Sequence, residues 1–198
     1  MNLTERSSIG AVAIVVADAL RAAGIRAVLS GGGCAAIHTN GIYRSVDLDF
    51  VLQTRVTQTD LERAMATAGF YRKGNQYFHD RAALYVEFPP GPLSIGRDYQ
   101  IEPVELELGS SRILALSATD SCRDRLAAFL HWRDQQSLKT AVWIALQNEI
   151  DREKIRSWCA TEGAAERFGE FTRAVEIARK ERGRRRRQRR ATRGRKTR

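Results

Sequence analysis

The chain has 198 residues, 33 Lys plus Arg against 23 Asp plus Glu, and a formal net charge of +10. Its 43% hydrophobic and 28% charged content excludes both a wholly disordered chain and a membrane-embedded one. Lys180 to Arg198 holds 12 basic residues and one acid, Glu181, which leaves 21 basic against 22 acidic residues elsewhere, a net of −1. The chain therefore reads as a near-neutral body with a cationic tail, not as a protein that coats nucleic acid with its whole surface.

In chain order, residues 5–23 are predicted to form a helix, with Ile9, Val12, Val16, Ala19 and Leu20 on one stripe and Gly24 as its stop. The start, Met1 to Ser8, carries Glu5 and Arg6 and lacks a secretory pattern. The apolar run Ala11 to Ala17 falls far short of the ~20 residues a membrane span needs. Ala27 to Ser30 is a short buried strand that ends in Gly31-Gly32-Gly33. A helical turn from Cys34 to Thr39 then precedes the turn dipeptide Asn40-Gly41, and Val46 to Leu52 is a second strand. Thr59 and Glu62 have the spacing of a capping box for a helix that stops at Gly69. Arg72 to Phe78 and Ala82 to Phe88 read as a hairpin around His79-Asp80, which Pro89-Pro90-Gly91-Pro92 ends. Ile101 to Leu108 and Ile113 to Leu116 are further strands.

From Thr119 to Arg179 helical spacing dominates. Leu126, Phe129 and Leu130 form one stripe, and Ala141, Val142, Ala145 and Leu146 form another behind a predicted N-cap at Ser137. Ile155 with Trp158, and Phe168 with Phe171, Val175 and Ile177, mark two more helices. Trp132, Trp143 and Trp158 are expected in the core or at an interface. The expected class is α+β: a mixed sheet unit over 1–116, a helical unit over 117–179 and a disordered basic tail over 180–198.

Cys34, Cys122 and Cys159 are odd in number and lack any CxxC, which suits reduced thiols in a cytoplasmic protein. Cys34 and His38 are four apart, as two metal ligands on a helix would be. No second ligand pair accompanies them, so buried packing is the expected role.

The segment richest in chemistry is Leu29-Ser30-Gly31-Gly32-Gly33 followed by Arg44-Ser45-Val46-Asp47-Leu48-Asp49-Phe50. Alternate residues of a strand share a face, so Asp47 and Asp49 project together while Val46, Leu48 and Phe50 face the other way. Two adjacent carboxylates repel, and a divalent cation is the simplest group that holds both. Oxygen-only ligands suit Mg²⁺ or Mn²⁺ better than zinc. The glycines let phosphate oxygens approach the N–H groups that open a short helix. A lone DxD or a lone glycine triplet is common in solvated strands and turns; their order and separation carry the reading here.

Gly31-x-Gly33-x-x-Ala36, with Asp49 lying 18 residues beyond Gly31, also matches the dinucleotide fingerprint. A βαβ crossover needs a helix of about ten or more residues, however, and the Asn40-Gly41 turn comes too soon. The paired acids also differ from the single ribose-binding acid of that motif.

Ser30-Gly31-Gly32 and Tyr43-Arg44-Ser45-Val46-Asp47-Leu48-Asp49-Phe50-Val51 resemble the nucleotidyltransferase superfamily, specifically its small bacterial AbiEii-like branch. The motif match covers residues 27–52 and weakens toward residue 116. Asp124 to Phe129 and His131 to Asp134 are similar to the helical part of that branch. The resemblance implies transfer of a nucleoside monophosphate from an NTP to a hydroxyl acceptor with Mg²⁺ or Mn²⁺, at a site completed by a third carboxylate. Glu87 is the expected third acid, since it alternates with Val86 and Phe88. The resemblance gives Asp47, Asp49 and Glu87 as metal ligands and catalytic residues, and Gly31 and Gly32 as triphosphate contacts with Ser30 or Gly33 as secondary contributors; Arg44, just before the DxD strand, is a further candidate nucleotide contact by its position. It also implies a toxin–antitoxin or phage-defence role with an antitoxin-like partner protein. A non-catalytic nucleotide- or nucleic-acid-binding module on the same fold is the alternative, and the position of Glu87 discriminates between them.

Arg125, Arg133 and Lys139 lie on predicted helices that could face the cleft, but a solvated helix charge is the simpler expectation for each, as it is for His131. Arg184-Arg185-Arg186-Arg187-Gln188-Arg189-Arg190 has no apolar face and is expected to be disordered alone. Such a run binds RNA or DNA through its charge, which tilts the acceptor toward RNA, including tRNA. It lacks the hydrophobic anchors of a membrane-binding segment.

Overall fold

The structure is a computed structural model and describes residues 3–195, with side chains described through 185 and at Gln188. Helix α1 spans Ile9–Ala22; Ser8 caps it by accepting the Ala11 N–H, and Gly24 beyond its end has φ +71°. It packs against the third helix and against the strand that ends the sheet unit. Strand β1 (Ala27–Ser30) runs into helix α2 (Gly31–His38), then the Asn40-Gly41 turn, then strand β2 (Asp47–Leu52). The glycine triplet is therefore the first turn of α2 rather than a loop before it.

Helix α3 (Gln58–Thr67) starts one residue before the predicted cap. Thr57, not Thr59, accepts the Asp60 N–H, and its hydroxyl donates to Asp60 Oδ2 at 2.6 Å. The capping logic holds, but a second Thr two residues earlier fits the apolar stripe of Leu61, Ala64 and Met65. The predicted strand 72–78 is split: β3 (Tyr71–Lys73) and β4 (Gln76–Phe78) form their own hairpin around Gly74, whose φ is +62°. Strand β5 (Tyr85–Glu87) then pairs antiparallel with β4. Strands β6 (Val104–Leu108) and β7 (Ser111–Ala115) form the last hairpin.

The sheet order is β3-β4-β5-β2-β1-β7-β6. Central β1 is antiparallel to β2 and parallel to β7, and β2 is parallel to β5. Leu29, Leu48, Phe50 and Val86 fill the core beneath this centre. Helix α2 lies on β1 and β2 and is covered by α4 (Ala118–Trp132) and α5 (Gln135–Gln147). Asp134, rather than Ser137, caps α5; Ser137 is buried one turn in and donates to Asp134 Oδ2.

The segment after Pro89 is tied to the helices by polar contacts. Arg123 of α4 is buried; it donates to Asp120 at 2.8 Å and also pairs with Asp98. The Trp158 indole of α6 (Arg152–Thr161) donates to Ile95 O at 3.1 Å. Trp158 is the only tryptophan of the three that behaves as expected in full: Trp143 is half-buried, and Trp132, at the α4 end, is 78% exposed.

Helix α7 runs Ala165–Arg195, so helical backbone continues into the segment expected to be disordered. Phe171 and Val175 anchor its first turns in the core, which removes the nucleation cost. Arg, Lys, Gln and Ala propagate a helix well, and no proline interrupts the run. Lys196, Thr197 and Arg198 lie outside the described residues. Among the described residues no helix is long and apolar enough to cross a membrane.

Candidate active site

The site forms where β1 ends at Ser30, opposite Asp49, and where the paired strands β2 and β5 begin. The parallel register places Asp47 beside Tyr85, Leu48 beside Val86 and Asp49 beside Glu87. The central pair, Leu48 and Val86, is buried, while the acids on either side face outward and are half-buried. One oxygen from each of Asp47, Asp49 and Glu87 lies within 4.8 Å of the others. The sequence placed Asp47 and Asp49 together by strand alternation, but Glu87 is 38 positions beyond Asp49 and reaches them only through β2–β5 pairing.

Each acid is oriented by a neighbour. Ser45 Oγ donates to Asp47 Oδ1 at 2.5 Å, and Gln76 Nε2 donates to Glu87 Oε1 at 2.7 Å. Asp49 is pushed up to about 6, first by burial and then by the charges of Asp47 and Glu87, against a smaller opposing effect of Arg125. Three converging carboxylates with no cation between them are an unfavourable arrangement. Their hard oxygen donors fit Mg²⁺ or Mn²⁺.

The glycines sit directly against these acids. A side chain at Gly31, whose φ is +61°, would place its Cβ 2.0 Å from Asp49 Oδ2. A Cβ at Gly32 would lie 2.5 Å from Ser45 Oγ and 3.3 Å from the Tyr43 hydroxyl, and one at Gly33 would meet the Asp47 carbonyl. Ser30 is buried at the N-cap of α2, yet its side chain makes no cap hydrogen bond and instead donates to Asp49 O at 3.4 Å. The first N–H groups of α2 thus lack a side-chain cap at a turn whose Gly31 packs against Asp49, an arrangement suited to phosphate oxygens.

Arg125 departs from its expected role as a solvated charge. Its guanidinium is 20% exposed and donates to Asp124 Oδ2 at 2.7 Å from one of its nitrogens. It is held protonated by Asp124 and by more distant Tyr43 and Asp49, against the opposing effect of burial, which is the largest single one. The sequence signal was the position of Arg125 beside Leu126, at the margin of the apolar stripe of α4. Tyr43 and Ser45 were present in the motif but carried no assigned role, and Tyr85 flanks Asp47 through the strand register alone. Arg44, by contrast, is exposed beside the site; Arg133 and Lys139 are exposed, and His131 approaches Glu162 at 3.6 Å on the far end of α4.

Cys34 and His38 are buried and both reach Leu116 O, at 3.6 and 2.9 Å. Burial pushes the Cys34 thiol up to about 12 and lowers His38, so both are neutral packing groups.

No protein family and no curated protein matches the sequence. Among solved structures, the chain is similar to the crystal structure of an antigenic nucleotidyltransferase-like protein from Paracoccidioides brasiliensis. The two share 14% identity at a TM-score of 0.58, over 72% of this chain and 78% of that one. The fold is nucleotidyltransferase-like. At this identity the likeness concerns the path of the backbone, and the roles of individual side chains must be argued from their own geometry. In this nucleotidyltransferase-like fold, the β1–α2 turn and the β2–β5 pair are what bring glycines and carboxylates to one place.

Proposed function

We propose that the chain is a Mg²⁺-dependent nucleotidyltransferase that moves a nucleoside monophosphate from an NTP to a hydroxyl acceptor. The observation that carries this reading is the convergence of Asp47, Asp49 and Glu87 against Gly31. Asp47, Asp49 and Glu87 are the residues that would hold the metal. A bound Mg²⁺ supplies charge neutralisation for the phosphate oxygens and eases deprotonation of a hydroxyl.

The chain's own groups supply the rest. Gly31 and Gly32 leave room for the triphosphate at the open end of α2, with Ser30 lining the turn and Arg44 and Arg125 as cations at its margins. The acceptor oxygen attacks the α-phosphorus as the bond to pyrophosphate breaks, and the hydroxyl proton passes to a carboxylate of the cluster. In-line positioning and charge complementarity are what such a transfer demands most, and rigid strands deliver both. ATP is the simplest NTP to test first. The motif order around Ser30 to Val51 supports the AbiEii-like branch; a toxin–antitoxin role with an antitoxin-like partner is suggested by that resemblance alone and rests on no residue of the chain.

The deciding assay is transfer of label from each α-labelled NTP, with Mg²⁺, to RNA and to protein. Transfer by the wild type that disappears in Asp49→Ala is expected. Absence of transfer favours the non-catalytic nucleotide-binding module, a reading that the arrival of Glu87 at Asp47 and Asp49 disfavours; transfer undiminished by that substitution overturns the assignment of the chemistry to this triad.

A further inference from the structure

We propose that Gln76, Ser45 and Gly31 fix each acid of the triad as a one-oxygen ligand and so select Mg²⁺ or Mn²⁺ over Ca²⁺. This rests on the metal assignment in the reading above and is independent of the transfer step. One oxygen of each carboxylate is already engaged. Gln76 Nε2 donates to Glu87 Oε1 at 2.7 Å, and Ser45 Oγ donates to Asp47 Oδ1 at 2.5 Å. Asp49 Oδ2 lies so close to Gly31 that a Cβ there would stand 2.0 Å from it. Among the described residues, no hydrogen bond reaches the second oxygen of Asp47 or Glu87, or Oδ1 of Asp49.

Gln76 is the positioning residue that no motif announces. In the sheet register it stands between Lys73 on β3 and Glu87 on β5, and Glu87 stands opposite Asp49, so all four share one face. Lys73 is the cation of that row, yet its ammonium lies over the Tyr71 and Phe78 rings, 5.2 and 5.8 Å from their centroids. Glu87 is therefore oriented by a neutral amide, which aims one oxygen without offsetting the charge of the carboxylate. An arginine in the same place would compete with the metal for that charge.

Ion size and ligand number decide the selection. Ca²⁺ takes about 6–8 oxygens at ~2.3–2.6 Å and often draws both oxygens of a carboxylate. Mg²⁺ binds closer, at ~2.0–2.1 Å, to a few carboxylates together with waters and substrate phosphates. Three acids that each present one oxygen supply too few ligands for Ca²⁺ and leave room for a triphosphate on the smaller ion. Donors that orient such ligands typically contribute about tenfold to a hundredfold in metal affinity. Loss of the Gln76 amide lets Glu87 turn and offer both oxygens, which favours the larger ion.

The test titrates the full chain with Mn²⁺ and with Ca²⁺ by calorimetry, without nucleotide, and follows bound Mn²⁺ by electron paramagnetic resonance. The wild type should bind Mn²⁺ more tightly than Ca²⁺. Gln76→Leu should weaken Mn²⁺ about tenfold and leave Ca²⁺ unchanged or tighter, which narrows the ratio of the two affinities. Ser45→Ala should narrow it in the same sense through Asp47, and it decides the matter if the hairpin variant fails to fold. Gln58→Leu is the control. Gln58 donates to the Tyr77 hydroxyl at 2.8 Å, on the other face of β4, so its loss should lower the melting temperature without moving the ratio. Equal affinities in the wild type, a ratio unmoved in either folded variant, or one moved as far by Gln58→Leu, overturns the selection. Discrimination that follows the variants without label transfer overturns the transfer reading and leaves the selection standing. Label transfer with an unmoved ratio does the reverse.

Discussion

Gly31 and Asp49 are packed so closely that a single methyl group cannot enter between them: a Cβ on Gly31 would lie 2.0 Å from Asp49 Oδ2 and 2.9 Å from Cγ. Gly31→Ala should therefore swing the Asp49 carboxylate out of the cluster. The left-handed φ of +61° adds about 1 kcal/mol of backbone strain. Gly24→Ala separates the two effects, because Gly24 has a φ of +71° and nothing within 4 Å of its Cβ position. Both variants should lower the melting temperature, but only Gly31→Ala should lose Mn²⁺ binding by titration calorimetry. Equal Mn²⁺ affinity in the two would show that the close approach has no bearing on the metal ligands.

Asp49 itself is held at a cost to stability. Its folded pKa, pushed up to about 6, exceeds its ordinary value of 3.8, so the folded state binds more protons than the unfolded one between those values. Stability therefore falls as pH rises from about 4 through 6 and stays reduced above. The shift corresponds to at most about 3 kcal/mol, and to about 2 kcal/mol once partial solvent access is discounted. Asp49→Asn should accordingly raise the melting temperature of the metal-free protein at pH 8, with little gain at pH 4, while abolishing nucleotidyl transfer. A gain of equal size at both pH values would locate the effect in packing rather than charge.

How far the sequence reaches is clear from these residues. Asp47 and Asp49 are readable as a pair because alternation is a local property of a strand, and the glycines because their order before that strand is local too. Glu87 needed the parallel β2–β5 register, which no local pattern encodes; the resemblance supplied the expectation of a third acid. Arg125 is easily misread because a helix charge beside an apolar stripe looks the same whether it meets solvent or a cleft. Trp132 misleads in the opposite sense, since large aromatic area predicts burial but chain position at the end of α4 leaves it exposed. In the tail, charge argues for disorder while intrinsic helix propensity, seeded by Phe171 and Val175, produces continuous α7.

The raised pKa of Asp49 also sets how metal binding responds to acid. Protons and the cation compete for the same carboxylate, so the apparent affinity weakens about tenfold for each pH unit below 6. Mn²⁺ titrations at pH 7 and pH 5 should differ by about tenfold in Kd. Saturating Mn²⁺ at 100 times Kd should stabilise the wild type by about 2.7 kcal/mol at pH 7. Glu87→Gln should reduce both effects, since it removes one ligand charge and one source of the Asp49 shift. A pH-independent Kd would mean that the cation binds away from Asp49.

Arg125 separates binding of the nucleotide from binding of the metal. Its guanidinium lies close enough to oppose the rise in Asp49 pKa, yet it is paired with Asp124 rather than with the triad. Arg125→Gln removes a cation from the margin of the site, so Mn²⁺ affinity should be kept or improved. A charge-assisted hydrogen bond to phosphate contributes about 1.5–3 kcal/mol, so the KM for the NTP should rise roughly tenfold to a hundredfold. Arg125→Lys should recover part of that loss, because a point charge remains but the planar fork does not. Asp124 loses its partner in Arg125→Gln, and because it is 23% exposed the loss of stability should stay near 1 kcal/mol. An unchanged KM alongside unchanged Mn²⁺ affinity would return Arg125 to a purely structural pairing with Asp124.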